Sequence, residues 1–232
     1  MNRRILRAWC LYDFGNSAFA VLFPFVFGTY YAHTVVGGAR GSALWGYAGS
    51  LSMLCVALSA PLLGGIADHA GARKRMLLLF TAVGLGTVLG FDAVGPGTVA
   101  AGFVLAIAAN FAFEGGIVFY NAYLPLIAPP SHHGRVSAYG FATGYVGSLV
   151  AIGVAVLLAR TLGVAWIWPA LALQWGLFAL PAFLRLPADR PTGMGLLASG
   201  KRGVKRTLFT WREVAGMPDL RRFLLAYFFY MD

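Results

Sequence analysis

Residues 99–125 read VAAGFVLAIAANFAFEGGIVFYNAYLP, a long apolar run with one charge in it, Glu114. As a helix rising 1.5 Å per residue, such a run crosses the ~30 Å hydrocarbon core of a bilayer. The apolar residues are continuous rather than alternating, so the strands of a membrane barrel do not fit. Outward from it in both directions lie five more runs of the same kind, at 9–32, 43–67, 76–94, 136–159 and 164–184. Chain-breaking residues fall between them: Gly37-Gly38, Gly95-Pro96-Gly97 and Pro129-Pro130. Trp45, Trp166 and Trp168 stand near run ends, the level of the lipid headgroups.

Composition agrees. Of the 232 residues, 59% are apolar and 11% charged. A soluble domain is about a quarter charged, and disorder needs low hydrophobicity, so both classes are excluded. The expected fold is an all-α polytopic membrane protein. Residues 1–184 hold six spans, 185–219 form a cytoplasmic basic linker, and 220–232 start a seventh transmembrane helix. That last run is too short to span. A second half is therefore expected to be missing, the chain being a fragment or a truncated product. Arg3, Arg4 and Arg7 ahead of an apolar run mimic a secretory signal. The run is too long for one, contains Asp13 and lacks a cleavage pattern, so the first helix is read as retained.

The net charge of +10 is explained by topology, with no nucleic-acid partner. With six spans, every Lys and Arg except Arg40 and Arg160 falls on one side. The positive side is cytoplasmic, which puts the N-terminus and residues 185–222 inside. The excess of Arg over Lys, with much Ala and Gly, points to a bacterial inner membrane. Within the linker, Lys201-Arg202 and Lys205-Arg206 precede Leu208, Phe209 and Trp211. Two readings stand: a helix lying on the anionic inner leaflet, or a solvated connection.

Polar groups inside the spans are the site candidates, because an ionisable side chain there is costly unless paired or hydrated. Asp13, Asn16, Ser17 and Ala20 share one face of the first span at helical spacing. Glu114 shares a face of the fourth span with Asn110 and Asn121. The two carboxylates are expected at similar depth, lining a solute or proton pathway. Two simpler readings stand beside that one. Glu114 could hydrogen-bond a neighbouring helix, and Asp13 could pair with Arg3, Arg4 or Arg7. The asparagines and Ser17 could equally join helices. Gly140, Gly144, Gly147 and Ser148 in the fifth span read as a close-packing seam. Pro24 and Pro61 each open a backbone hydrogen bond inside a span. Cys10 and Cys55 lack ligand spacing, and His132-His133 has no third ligand, so no metal is implied. No phosphate-binding glycine loop and no catalytic constellation is present, so no cofactor and no enzyme activity are expected.

The loop after the second span reads Gly64-Gly65-Ile66-Ala67-Asp68-His69-Ala70-Gly71-Ala72-Arg73-Lys74-Arg75. It resembles the signature loop of the major facilitator superfamily. Ala72 and His69 depart from its usual basic residues. Three further segments narrow the likeness: Trp9 to Ala20, Phe113 to Pro125, and Gly134-Arg135-Val136-Ser137 leading to Gly144-Tyr145-Val146-Gly147. Together they resemble the branch that includes the fungal vacuolar amino-acid effluxer of autophagy. The resemblance implies twelve spans in two halves that rock about a central cavity lined by spans one and four. It also implies a small-molecule substrate, an amino acid, with proton coupling as the accompanying expectation. Gly64, Asp68, Gly71, Arg73, Lys74 and Arg75 would be the conformational latch. The reading from another class is a non-transporting membrane sensor, scaffold or assembly protein built on a half-transporter fold.

Overall fold

The first span begins earlier and ends later than its apolar run. In the computed structural model, which describes residues 2–190 and 192–231, helix α1 covers Arg3–Leu22 and continues through wider π-type turns at Phe23–Gly28 and Tyr31–Val36. Asn2 caps it by accepting the Arg4 backbone N–H at 3.0 Å, so helical turns form before the apolar stretch starts. Pro24 has no N–H to give to the ladder, and the wide turns begin beside it. The other helices are α2 (Gly38–His69), α3 (Arg73–Gly90), α4 (Val99–Asn121), the single turn α5 (Leu124–Ile127), α6 (His133–Thr161), α7 (Ile167–Arg185), α8 (Leu196–Ala215) and α9 (Pro218–Met231). Met1 of the expected tail, Pro191 of the linker and Asp232 of the seventh run lie outside the described residues. Among the described residues there is no strand.

Among the described residues, six helical segments are long and apolar enough to cross a bilayer, one for each expected run: Arg3–Val36, Gly38–His69, Arg73–Ala93, Val99–Ile127, Pro130–Thr161 and Val164–Arg185. They alternate in direction. At one end Lys74 Nζ donates to the Leu186 carbonyl at 3.0 Å and Tyr123 OH to the Pro187 carbonyl at 3.3 Å. At the other end Tyr30 OH and Tyr31 OH donate to the Val94 and Val99 carbonyls, each at 3.0 Å.

The packing has an internal symmetry. The first span (α1) packs most extensively on the fifth (α6) and sixth (α7), and the fourth (α4) on the second (α2) and third (α3). Exchanging one with four, two with five and three with six maps these pairs onto each other. Of the smaller contacts, the third span on the sixth maps onto itself, whereas the fifth on the sixth has no counterpart of its size. This is the pattern of two inverted three-helix repeats. It makes α1 and α4 the two hubs, each packed on two other spans.

Lipid is as apolar as leucine, so close packing rather than apolar burial holds such helices together. Along α1 and α4 the packing is aromatic. The Trp9 and Tyr120 rings stack at 4.5 Å, Tyr12 and Tyr120 at 5.2 Å, and Phe19 meets Phe113 at 5.0 Å. Between α1 and α6 the packing is glycine against bulk. Gly140 faces the Trp9 ring, Gly144 faces Ser17, and Gly147 lies on the Phe14 backbone. Ser148 Oγ donates to the Ser17 carbonyl at 3.0 Å, and Gln174 Nε2 to the Gly147 carbonyl at 2.9 Å.

Residues 196–215 of the expected linker are the helix α8, docked on α2. Its Ser199, Gly200 and Gly203 are buried against Leu62, Pro61 and Gly65. Three small residues on one face allow an approach that any larger side chain would block.

Candidate functional site

Asp13 and Glu114 are half-buried in spanning helices, and no hydrogen bond or ion pair holds either carboxylate among the described residues. The basic tail leaves Asp13 alone: Arg3, Arg4 and Arg7 are exposed and make no ion pair with it. Asp13 points across the α1–α6 seam, where its Oδ2 would lie 3.3 Å from a Cβ on Gly144. Ser17 faces the same glycine. The expected single polar face of α1 is therefore divided. Asp13 and Ser17 look towards α6, Ala20 is exposed, and Asn16 is 1% exposed with its Oδ1 unpartnered. A buried polar atom left unpaired costs about 1–3 kcal/mol, so Asn16 is held in a place that packing alone does not favour.

On α4, Phe113 meets Phe19, and Gly116 lies against the Tyr12 hydroxyl. Glu114 sits between those two contacts, and Asn16 lies between the same two partners on α1. The helices thus bring Glu114, Asn16 and Asp13 to similar depth. The other two asparagines do different things. Asn110 Nδ2 donates to Ser52 Oγ at 2.8 Å, joining α4 to α2, and Asn121 is exposed at the last turn of α4. Ser52 is fully buried and was not evident as a partner, since one serine in an apolar run carries no signal of its own. The neighbouring polar pair is also inter-helical: Tyr12 OH and Thr81 Oγ1 lie 2.9 Å apart.

At the charged end, the carboxylate that holds the basic cluster is Asp189, not Asp68. Asp189 accepts the backbone N–H groups of Lys74 at 2.8 Å and Arg75 at 3.1 Å, and the Arg75 side-chain Nε at 3.2 Å. Those amides belong to the first turn of α3, whose own capping position is Ala72 and supplies no side chain. A carboxylate from a distant segment thus serves as the helix cap and meets the positive end of the helix. The backbone around it is stitched to the same loop. Thr192 donates to the His69 carbonyl, and Gly71, at φ +59°, lies against the Arg190 carbonyl. Gly71 serves this turn twice, by its left-handed backbone and by having no side chain to collide. Asp68 is exposed and Gly64 has open space above it.

A family model described as vacuole effluxer Atg22 like matches residues 39–134 and 129–232. The chain belongs to this Atg22-like family. It is 29% identical to an uncharacterized MFS-type transporter, YxiO of Bacillus subtilis, over 97% of this chain and 56% of YxiO. It is 33% identical to autophagy-related protein 22 of Neurospora crassa over 40% of this chain and 12% of that protein. For autophagy-related protein 22 of Pyricularia oryzae the identity is 35%, over 42% and 14%. The chain therefore spans about half the length of YxiO and aligns with a smaller share of the fungal proteins. No solved structure matches it at a significant level.

In this Atg22-like chain the Asp189 clasp makes a prediction. Arg75 is largely exposed, so its ion pair contributes little. The two capped amides carry the effect, and loss of a helix cap costs ~0.5–2 kcal/mol. Asp189→Ala is expected to speed amide exchange in the first turn of α3 several-fold and to expose residues 186–190 to protease. Arg75→Gln should leave both nearly unchanged. Equal effects of the two substitutions would show that the ion pair, not the cap, holds the segment.

Proposed function

We propose that this chain forms six spans of a secondary transporter for small polar solutes, working by alternating access, and that amino acids are its substrate class. The observation that carries the reading is the pair of unpaired carboxylates, Glu114 and Asp13, at similar depth on the two hub helices. Intramembrane carboxylates with no protein partner are suited to a passing cation or a proton. An amino acid supplies an ammonium group that donates to a carboxylate, and the unpartnered amide oxygen of Asn16 at the same level is a further acceptor for it. A carboxylate that is charged in one conformation and protonated in the other would couple solute movement to a proton. In this reading the N-terminus and the Asp189 clasp are cytoplasmic, because the loops rich in Lys and Arg lie at that end. The inverted-repeat packing supports a half that moves as one body against a second.

Binding can be read without transport. The full-length protein, purified in detergent, is expected to be stabilised by one class of amino acid. At about 10 mM, roughly a hundredfold above a Kd near 0.1 mM, binding adds ~2.7 kcal/mol. That is a rise of about 3 °C in Tm for a protein roughly twice the length of this chain. No shift with any of the common amino acids, in a preparation that unfolds cooperatively, would remove the substrate class.

A further inference from the structure

We infer that α8 is a binding surface for anionic lipid headgroups, held in the plane of the membrane by its seam with α2. The inference rests on the membrane-spanning fold and is independent of the transport reading. At 100° per residue, Arg202, Arg206, Phe209 and Glu213 fall on one side of the helix, and the rest divides into three faces. Ser199, Gly200 and Gly203 form the seam against α2. A second face carries Leu197, Leu208 and Trp211, which are 75%, 59% and 68% exposed. The third carries Lys201, Lys205 and Arg212, all exposed.

The seam fixes where these faces lie. It meets α2 at Pro61 to Gly65, one to two turns before that helix ends at His69, beside the basic residues 73–75. That is the level at which a spanning helix leaves the hydrocarbon. A helix lying across that level puts Leu197, Leu208 and Trp211 at the acyl boundary and the basic row among the headgroups. Charge says which headgroups. The helix carries five cations, Lys201, Arg202, Lys205, Arg206 and Arg212, against the single acid Glu213. None of the five makes an ion pair among the described residues. Each cation near an anionic surface is worth roughly a fivefold preference for it. A protein segment covering the same faces would have to bury three unpaired cations, whereas a phosphate-bearing bilayer neutralises them.

The test is amide exchange over residues 196–215 in the full-length protein, in phosphatidylcholine vesicles and in vesicles with about one-third phosphatidylglycerol. Exchange is expected to be about tenfold slower in the anionic vesicles. The triple variant Lys201→Gln, Lys205→Gln, Arg212→Gln, altered only at exposed positions, should exchange at the neutral-vesicle rate in both. Equal protection of the native helix in the two lipids would overturn the proposal, since it would mean that something other than charged lipid covers α8. A lipid dependence that survives in the triple variant would overturn it as well.

Discussion

Replacing Glu114 by Gln is expected to abolish the acceleration of transport by a pH gradient, lowering gradient-driven uptake at least tenfold while the protein stays folded. Gln has nearly the size of Glu and is permanently neutral, so it imitates the protonated side chain. Glu114 is half-buried and makes no hydrogen bond or ion pair among the described residues, so the substitution orphans nothing on the protein. If the residue only carries a proton, exchange of labelled for unlabelled solute without a gradient should persist. If it also holds the substrate ammonium, exchange falls too, because a hydrogen bond to a charged group contributes about 1.5–3 kcal/mol, roughly ten- to a hundredfold. Uptake of unchanged rate and pH profile would sink both roles. Asp13→Asn separates the two carboxylates, since Asp13 faces the glycine seam rather than the register shared by Glu114 and Asn16.

Gly147→Leu is expected to cost the protein its fold in membranes, or at least ~2–3 kcal/mol and some 5–10 °C of Tm. A Cβ at Gly147 would run into the carbonyl and Cα of Phe14, which are backbone and cannot swing aside. The α1–α6 seam would have to open, and with it the hydrogen bond from Gln174 to the Gly147 carbonyl. Gly153 on the same helix is the matched control, because nothing lies within 4 Å of a Cβ built there. Fluorescence-detected gel filtration after a heating series reads both variants. Equal Tm values for Gly147→Leu and Gly153→Leu would mean that the seam is not tight.

The fold was legible because a bilayer writes a coarse code. Six uninterrupted apolar runs leave few alternatives, and a positive charge on alternate loops orders them. Gly140, Gly144 and Ser148 recur at four-residue spacing, with Gly147 beside them, a pattern suited to close helix approach, and Gly140, Gly144 and Gly147 each lie against residues of α1. What the sequence hid is long-range and polar. Asp189 stands alone in a basic stretch 115 residues from the amide it caps, and only the absence of a capping side chain at Ala72 hinted that one must come from elsewhere. The linker's helix could not be told from a solvated connection, because its docking depends on Gly65 of a different element meeting Gly203. The polar face of α1 looked uniform at helical spacing. In three dimensions Asp13 and Ser17 turn to α6, while Asn16 stays buried and unpaired.

The most direct test of the central claim is counterflow of labelled leucine into proteoliposomes that hold the full-length protein and are preloaded with unlabelled leucine. Uptake is expected to overshoot that of empty liposomes, and an imposed pH gradient is expected to raise it. If folded protein shows no overshoot with leucine or with any amino acid that stabilises it, the transport reading is contradicted, and the reading as a non-transporting membrane sensor or scaffold takes its place.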